Sequence, residues 1–358
     1  MAGNIYIFTN LYKPYLGGIQ TVTSQFAETL HCRNESVVVI TTLGRKACMP
    51  YSRINGVPVF RLLFKNNISF IILFILFFIN RPNCVYVHFP QEQAKYVCKL
   101  KKYFSFHLAS CFHGHDVLMY SEGYSKDNDL YKNKKELVKL SDRITACSKY
   151  LATEVEMCFD CQNQVVPIYN GVDLSRYSVK IDRPVRCAGQ YMFAFGRLEI
   201  VKGFDILIEA ISKLTNYPDL SLLIAGDGTQ KDKLQAQITN LHLEDRVQLI
   251  GRALPEEIVA YCQNAECIII PSLREPFGIV VLEAIASKRP IVATNAGGIP
   301  EVMDERFGCL VDPTVDGLKD GIECILQGRD VDFSEADQYL KFFSIENMVD
   351  NYLGVLTR

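Results

Sequence analysis

Short apolar, β-rich runs alternate with helical stretches along the whole chain, and that alternation limits the folds open to it. In the first half the runs are 5–8, 37–41, 57–62, 84–88, 108–112, 144–147 and 165–169. In the second they are 192–195, 221–225, 247–250, 267–270, 291–293 and 309–311. Apolar strands separated by helices require parallel sheets covered on both faces. Two such series predict an α/β chain of two doubly wound domains, which 358 residues accommodate. A polar stretch with a proline, Ser178 to Arg186, separates the series. The expected division is residues 1–180, residues 187–338 and a terminal helix over 339–358. Within that helix Leu340, Phe343, Met348, Val349 and Tyr352 are the apolar positions.

Charge divides at the same junction. The net charge of −2 looks like an argument against an anionic partner, but it is a cancellation. Through Arg186 there are 23 Lys and Arg against 14 Asp and Glu, a balance of +9; the remainder has 15 against 26, a balance of −11. In the basic half, Lys95, Lys99, Lys101 and Lys102 form one group and Lys132, Lys134, Lys135 and Lys139 another. Solvated helix faces often carry lysines; an anionic lipid surface is the alternative.

The run from Ile68 to Ile79 sharpens that choice. It is nearly all apolar, with Lys65 before it and Arg81 after it. As a helix these twelve residues span about 18 Å, short of a bilayer core of about 30 Å. The run is therefore a buried element or a face that dips into a membrane interface. The start of the chain has no basic region followed by a long apolar one, so secretion is not signalled. The thirteen cysteines form no disulfide-scaffold pattern, and Cys158–Cys161 is a lone CxxC without a second pair to hold zinc. These features predict a cytoplasmic chain, peripheral on the inner face of the membrane, with no nucleic-acid partner.

Candidate chemistry lies at strand ends of the second half. After the strand at 267–270 comes Pro271-Ser272-Leu273-Arg274-Glu275-Pro276-Phe277-Gly278-Ile279, and a helix is predicted from Gly278 onward through Glu283. A helix start binds phosphate through its N–H groups, and glycine permits close approach. Glu275 before that start and Glu283 on its second turn can bracket a diphosphate and accept hydroxyls from the sugars at either end. Arg197 and Lys202 follow the first strand of this half, where α/β sheets place their ligands, and both can neutralise phosphate. Glycine turns Gly226-Asp227-Gly228 and Gly297-Gly298 end two more strands.

The combination resembles the retaining glycosyltransferases of family 4, of bacterial surface-polysaccharide type. The resemblance covers almost the whole chain. It rests on Glu275-x7-Glu283, Gly17-Gly18-Ile19, His113-Gly114-His115-Asp116, Asn170-Gly171-Val172-Asp173 and Gly196-Arg197 with Lys202-Gly203. One departure is Tyr169, where the family often has proline before the asparagine.

The resemblance implies the GT-B architecture: two Rossmann-like domains facing a cleft, with the C-terminal helix returning to the N-terminal domain. It implies transfer of a hexose or N-acetylhexosamine from a nucleoside diphosphate sugar to a glycan or lipid-linked glycan in cell-surface polysaccharide synthesis, without cofactor or metal. Arg197 and Lys202 would stabilise the departing diphosphate, Glu275 would hold the transferred sugar, and the backbone of Phe277, Gly278 and Ile279 would contact sugar or phosphates. Glu283 would bind the ribose. Gly17 and Gly18 would approach the phosphates from the other domain, and His113, rather than His115, would lie near the anomeric centre. The acidic half would hold the nucleotide, and the basic half the acceptor and the membrane. The competing expectations are an epimerase of the same architecture and a noncatalytic nucleotide-sugar-binding subunit.

Overall fold

The computed structural model describes residues 4–15, 17–44, 49–121, 123–162, 164–182 and 189–356. The chain forms two compact units, one of Met1–Gly171 with Phe343–Arg358 and one of Val172–Phe342. Residues 172–180, expected in the N-terminal domain, thus belong with the second unit. Gln263 anchors them there, donating to the carbonyls of Tyr177 and Val179. The expected linker lies partly outside the described residues.

The first unit is built on an eight-stranded sheet. Its strands are β1 (Asn4–Thr9), β2 (Ser36–Thr42), β3 (Tyr51–Ile54), β4 (Val57–Leu62), β5 (Cys84–His88), β6 (His107–Phe112), β7 (Arg143–Ala146) and β8 (Val165–Pro167). Their spatial order is β3-β4-β2-β1-β5-β6-β7-β8. All neighbours are parallel except β3, which runs antiparallel to β4. Strand β3 is absent from the expected runs, although Asn55-Gly56 between two β-prone segments is a hairpin signal. Both residues sit at positive φ, 49° and 84°, as a two-residue turn of that kind needs.

Helices α1 (Gly18–Cys32), α2 (Asn67–Asn80), α3 (Gln93–Lys101), α4 (His115–Ser121), α5 (Asp129–Leu140) and α6 (Lys149–Phe159) connect these strands. The apolar run is α2, and it is buried along one strip only. Ser69, Leu73 and Phe77, spaced by four, form its buried strip, and Phe77 packs against Tyr6, Phe104 and Phe106. Its other face is apolar and exposed: Ile68, Ile71, Ile72, Ile75, Phe78 and Ile79 are between 38% and 70% accessible. Among the described residues no helix is long and apolar enough to cross a membrane.

The second unit has a six-stranded, all-parallel sheet of β9 (Tyr191–Phe195), β10 (Ser221–Ala225), β11 (Val247–Gly251), β12 (Ile268–Ile270), β13 (Ile291–Thr294) and β14 (Gly308–Val311), ordered β11-β10-β9-β12-β13-β14. Each expected strand of this half is present. Helices α7 (Phe204–Lys213), α8 (Lys231–Asn240), α9 (Pro255–Asn264), α10 (Ile279–Ala286), α11 (Val315–Leu326) and α12 (Ala336–Lys341) accompany it. Both sheets are doubly wound, as the alternation predicts.

The terminal helix expected over 339–358 is two helices. α12 stays with the second unit, and after a break α13 (Ile345–Leu356) packs in the first. There its Met348, Val349 and Tyr352 are buried, with the Tyr352 ring 5.2 Å from Phe26 of α1 and 5.5 Å from Tyr86 of β5. The return to the N-terminal unit is therefore made by α13.

Candidate active site

Ligands of doubly wound sheets bind beyond the carboxyl ends of the strands where the strand order reverses. In the second unit that point lies between β9 and β12. The loop after β9 carries Arg197 and turns through Ile200–Lys202; the loop after β12 carries Glu275. The two loops are joined by backbone: the N–H groups of Leu273 and Arg274 both donate to the Val201 carbonyl, at 2.9 and 3.2 Å. The side chains then meet, with Lys202 Nζ donating to Glu275 Oε2 in an ion pair whose partners are only 17% and 12% exposed. Sequence alone placed these two residues at separate strand ends; the fold brings them into contact.

Two glycines make that geometry possible. Gly203 follows Lys202 at φ +64°, and a Cβ there would lie 2.0 Å from the Pro271 carbonyl oxygen. Gly297 holds φ +59°, and its Cβ would lie 2.1 Å from the Glu275 carbonyl oxygen. L residues are disfavoured at such angles, and no side chain fits those spaces. The neighbouring Gly298 N–H donates to the same Glu275 carbonyl at 2.8 Å, so the glycine turn after β13 clamps the Glu275 loop.

Gly278 caps α10, Ile279 is its first residue, and Phe277 is buried against the core. Glu283 sits on the second turn of α10 as expected, with a partner that no sequence motif foretells. Arg176 of the 3₁₀ turn Ser175–Ser178 donates to Glu283 Oε1. Burial pushes the Glu283 carboxyl above its ordinary range, against the opposing pull of Arg176. The clue was an arginine three residues past the Asn170-to-Asp173 motif, which has no local spacing relation to Glu283. Arg197 is exposed.

In the first unit the strand order reverses between β1 and β5. Gly17 and Gly18 open α1 beyond the carboxyl end of β1, with Gly18 free of any neighbour within 4 Å of a notional Cβ. His113 follows β6 and is 6% exposed, whereas His115 is exposed on α4. Asp116 shapes this turn, accepting the N–H groups of Gly114 at 2.7 Å and His113 at 3.2 Å. Burial pushes the Asp116 carboxyl up to about 6, and the buried Lys134 draws it back down. Lys134 Nζ also donates to the Asp116 carbonyl at 2.8 Å. This removes Lys134 from the expected basic surface: it is fully buried, and burial pushes its ammonium down to about 8. Lys101 is likewise engaged, with Asp142 at 2.9 Å.

His113 Nε2 lies 3.2 Å from Nδ1 of His88, the last residue of β5, which belongs to none of the sequence motifs. Burial pushes His113 down to about 4, partly offset by Asn170, and drives His88 well below its ordinary value. Among the described residues, His88, Cys111 and His113 are close enough together to share a metal ion. Burial pushes the Cys111 thiol up to about 12, and it contacts Thr145 Oγ1 at 2.6 Å.

With these sites in view, comparison with known proteins decides the family. The pattern described as Glycosyltransferase Family 4 matches residues 16–176, and that described as Glycosyl transferases group 1 matches residues 188–339. This chain belongs to glycosyltransferase family 4. Its relatives in the family include the glycogen synthase of Mycobacterium tuberculosis, 32% identical over 53% of this chain and 47% of that protein. A phosphatidylinositol N-acetylglucosaminyltransferase subunit of Homo sapiens is 25% identical over 89% of this chain and 68% of that protein. The matched stretch thus spans about half the length of the mycobacterial relative. Among solved structures, sucrose-phosphate synthase from Thermosynechococcus elongatus superposes with a TM-score of 0.80 at 18% identity, covering 98% of each chain. Anabaena HepE in complex with UDP and glucose superposes with a TM-score of 0.77 at 20% identity, covering 99% of each chain. The family fold is GT-B, with its two Rossmann-like domains.

Proposed function

We propose that this family 4 chain is a retaining glycosyltransferase. It moves a hexose or N-acetylhexosamine from a nucleoside diphosphate sugar to a glycan or lipid-linked glycan acceptor in cell-surface polysaccharide synthesis. The observation that carries the reading is the Lys202–Glu275 pair at the strand-order reversal of the second unit, clamped by the Gly297-Gly298 turn. A cation and a carboxylate held side by side match the two ends of a sugar phosphate. Lys202, with Arg197 and the start of α10, meets the charge of the departing diphosphate, so the chemistry calls for no metal or cofactor. Glu275 accepts hydroxyls of the transferred sugar, and Glu283 accepts those of the ribose. The backbone of Phe277, Gly278 and Ile279 contacts sugar and phosphates, and Gly17 and Gly18 contact phosphates from the first unit. His113 contacts the sugar near the anomeric carbon. The acceptor hydroxyl attacks on the face the leaving group vacates, and a donor phosphate oxygen takes its proton. The human relative's name, which specifies phosphatidylinositol, supports a lipid-borne acceptor.

The exposed face of α2 supports action at an anionic membrane on its cytoplasmic side. Its six exposed side chains amount to about three and a half fully exposed ones, on the order of 5–10 kcal/mol if wholly removed from water. Tyr103 extends the face, packing on Phe70 and Phe74, and Lys99 lies 5.7 Å from the Phe70 ring. Lys95 and Lys102, exposed about one helical turn before and after Lys99, add to this charge, each basic residue contributing about 1 kcal/mol near anionic lipid.

Turnover tests the first part. Purified chain with a panel of sugar nucleotides and a lipid-linked acceptor should release nucleoside diphosphate, and Glu275→Ala should abolish that release. No release from any donor, or an unaffected variant, ends the reading; product made without acceptor identifies an epimerase. Flotation on vesicles with anionic lipid tests the second: Ile71→Glu with Ile75→Glu should abolish it, and neutralising Lys99 and Lys102 should weaken it in a salt-dependent way. Undiminished flotation of both variants refutes the membrane face.

A further inference from the structure

His88 and His113 stand at the carboxyl ends of neighbouring strands, and only His113 has a role so far. Their rings stack with centroids 5.2 Å apart and planes 24° apart, in addition to the 3.2 Å contact between His88 Nδ1 and His113 Nε2. Around the fully buried His88 ring stand Phe26 of α1 at 5.3 Å, Tyr86 of β5 at 5.2 Å and Tyr352 of α13 at 5.7 Å. The ring that touches His113 is thus held by an aromatic cage to which the returning C-terminal helix contributes one wall.

Each neutral imidazole carries one N–H, so the 3.2 Å contact needs one ring as donor and the other as acceptor. If His113 donated, the His88 hydrogen would lie on Nε2, which is buried without a hydrogen-bond partner. An orphaned buried N–H is rarer in native proteins than an under-used acceptor. Nδ1 of His113 and Oδ1 of Asn170 are likewise buried without a hydrogen-bond partner, and Asn170 acts on the His113 ring as an acceptor that favours its protonation. If His88 donates, Nδ1–H of His88 faces Nε2 of His113, and the His113 hydrogen is left on Nδ1, where the otherwise unpartnered Asn170 Oδ1 is the acceptor for it.

We infer that His88 is the positioning residue for His113: its Nδ1–H donates to His113 Nε2 and fixes both the orientation and the tautomer of the ring at the end of β6. His88 itself touches no substrate. Its effect on turnover rests on the reading of His113 as a site residue; the tautomer does not. A ring fixed in this way presents one hydrogen in one direction, and loss of such a support commonly reduces activity by 10- to 100-fold.

Two measurements on the full chain test this. Long-range proton–nitrogen correlation spectra of the chain labelled with ¹⁵N-histidine, at pH 7.5, should show both rings protonated on Nδ1; a His113 protonated on Nε2 overturns the assignment. In the kinetic arm, His88→Phe keeps a ring in the cage without a donor, and His88→Asn restores an N–H near the Nδ1 position. His88→Phe should reduce kcat by about 10- to 100-fold with KM for the sugar nucleotide within about twofold. His88→Asn should recover most of the loss while melting no higher than His88→Phe. A wild-type chain without turnover on any donor overturns the proposed function and leaves the spectra to decide the tautomer. Wild-type turnover that His88→Phe leaves unchanged overturns the positioning role alone.

Discussion

Gly297→Ala isolates the clamp on Glu275. The residue holds φ +59°, where an alanine costs about 1–2 kcal/mol on conformational grounds. The new Cβ would also stand 2.1 Å from the Glu275 carbonyl oxygen and 3.0 Å from its carbon and nitrogen, more than about 1 Å inside ordinary contact at the oxygen. All three of these atoms are backbone, so no side chain can swing aside, and the Glu275 loop must move. That movement strains the hydrogen bond from Gly298, worth about 1 kcal/mol, and adds an overpacking cost of about 1–3 kcal/mol. Gly328→Ala is the control: φ is +91° there, but nothing lies within 4 Å of the added carbon, so only the conformational cost applies. The difference between the variants is then about 2–4 kcal/mol, or roughly 4–16 °C in the melting of a unit this size. Differential scanning fluorimetry with and without the sugar nucleotide reads both effects. Gly297→Ala should melt lower than Gly328→Ala and lose most of the donor-induced shift, which Gly328→Ala keeps. If the two variants melt within about 2 °C of each other, the close approach to Glu275 is not what requires glycine at 297.

The acid limb of stability should depend on the histidine pair. His113, lowered from 6.5 to about 4, binds its proton in the unfolded chain but not in the native one between those values, so stability is lost as pH falls through that window. Asp116, raised from 3.8 to about 6, acts in the opposite sense over an overlapping range. His113→Phe should flatten the limb by on the order of 3 kcal/mol between pH 7 and 4, read by urea denaturation; an unchanged slope contradicts the assignment. Arg176→Ala should leave Glu283 without its cation and cost about 1–3 kcal/mol at pH 8, less at pH 5 where the carboxyl more readily takes a proton. Arg176→Ala with Glu283→Gln should recover much of that loss, and equal losses at both pH values would count against the pair.

The strands of both sheets were legible in the sequence because fully covered parallel strands are continuous apolar runs, and every expected run became a strand. The edge strand β3 escaped because its exposed positions carry no such run, and only the Asn55-Gly56 turn betrays it. The break between α12 and α13 escaped because apolar spacing continues through Phe342 and Phe343, although the two phenylalanines go to different units. In the candidate site, residue types and their strand-end positions were readable one by one: Arg197 and Lys202 follow β9, and Glu275 and Glu283 follow β12.

Pairings at long range were decided only by the tertiary structure. Lys202 meets Glu275 because β9 and β12 are neighbours across the reversal in strand order, 73 residues apart in sequence. Arg176 reaches Glu283 across 107 residues, and His88 reaches His113 because β5 pairs with β6. Lys134 shows the same limit from the other side: its charge places it on a basic surface, and its packing beneath Asp116 buries it. Periodicity reports which face of an element avoids water, since that is a local property of the chain. Which buried polar group finds which partner depends on the order of strands in the sheet, and that order arises only when the whole unit packs.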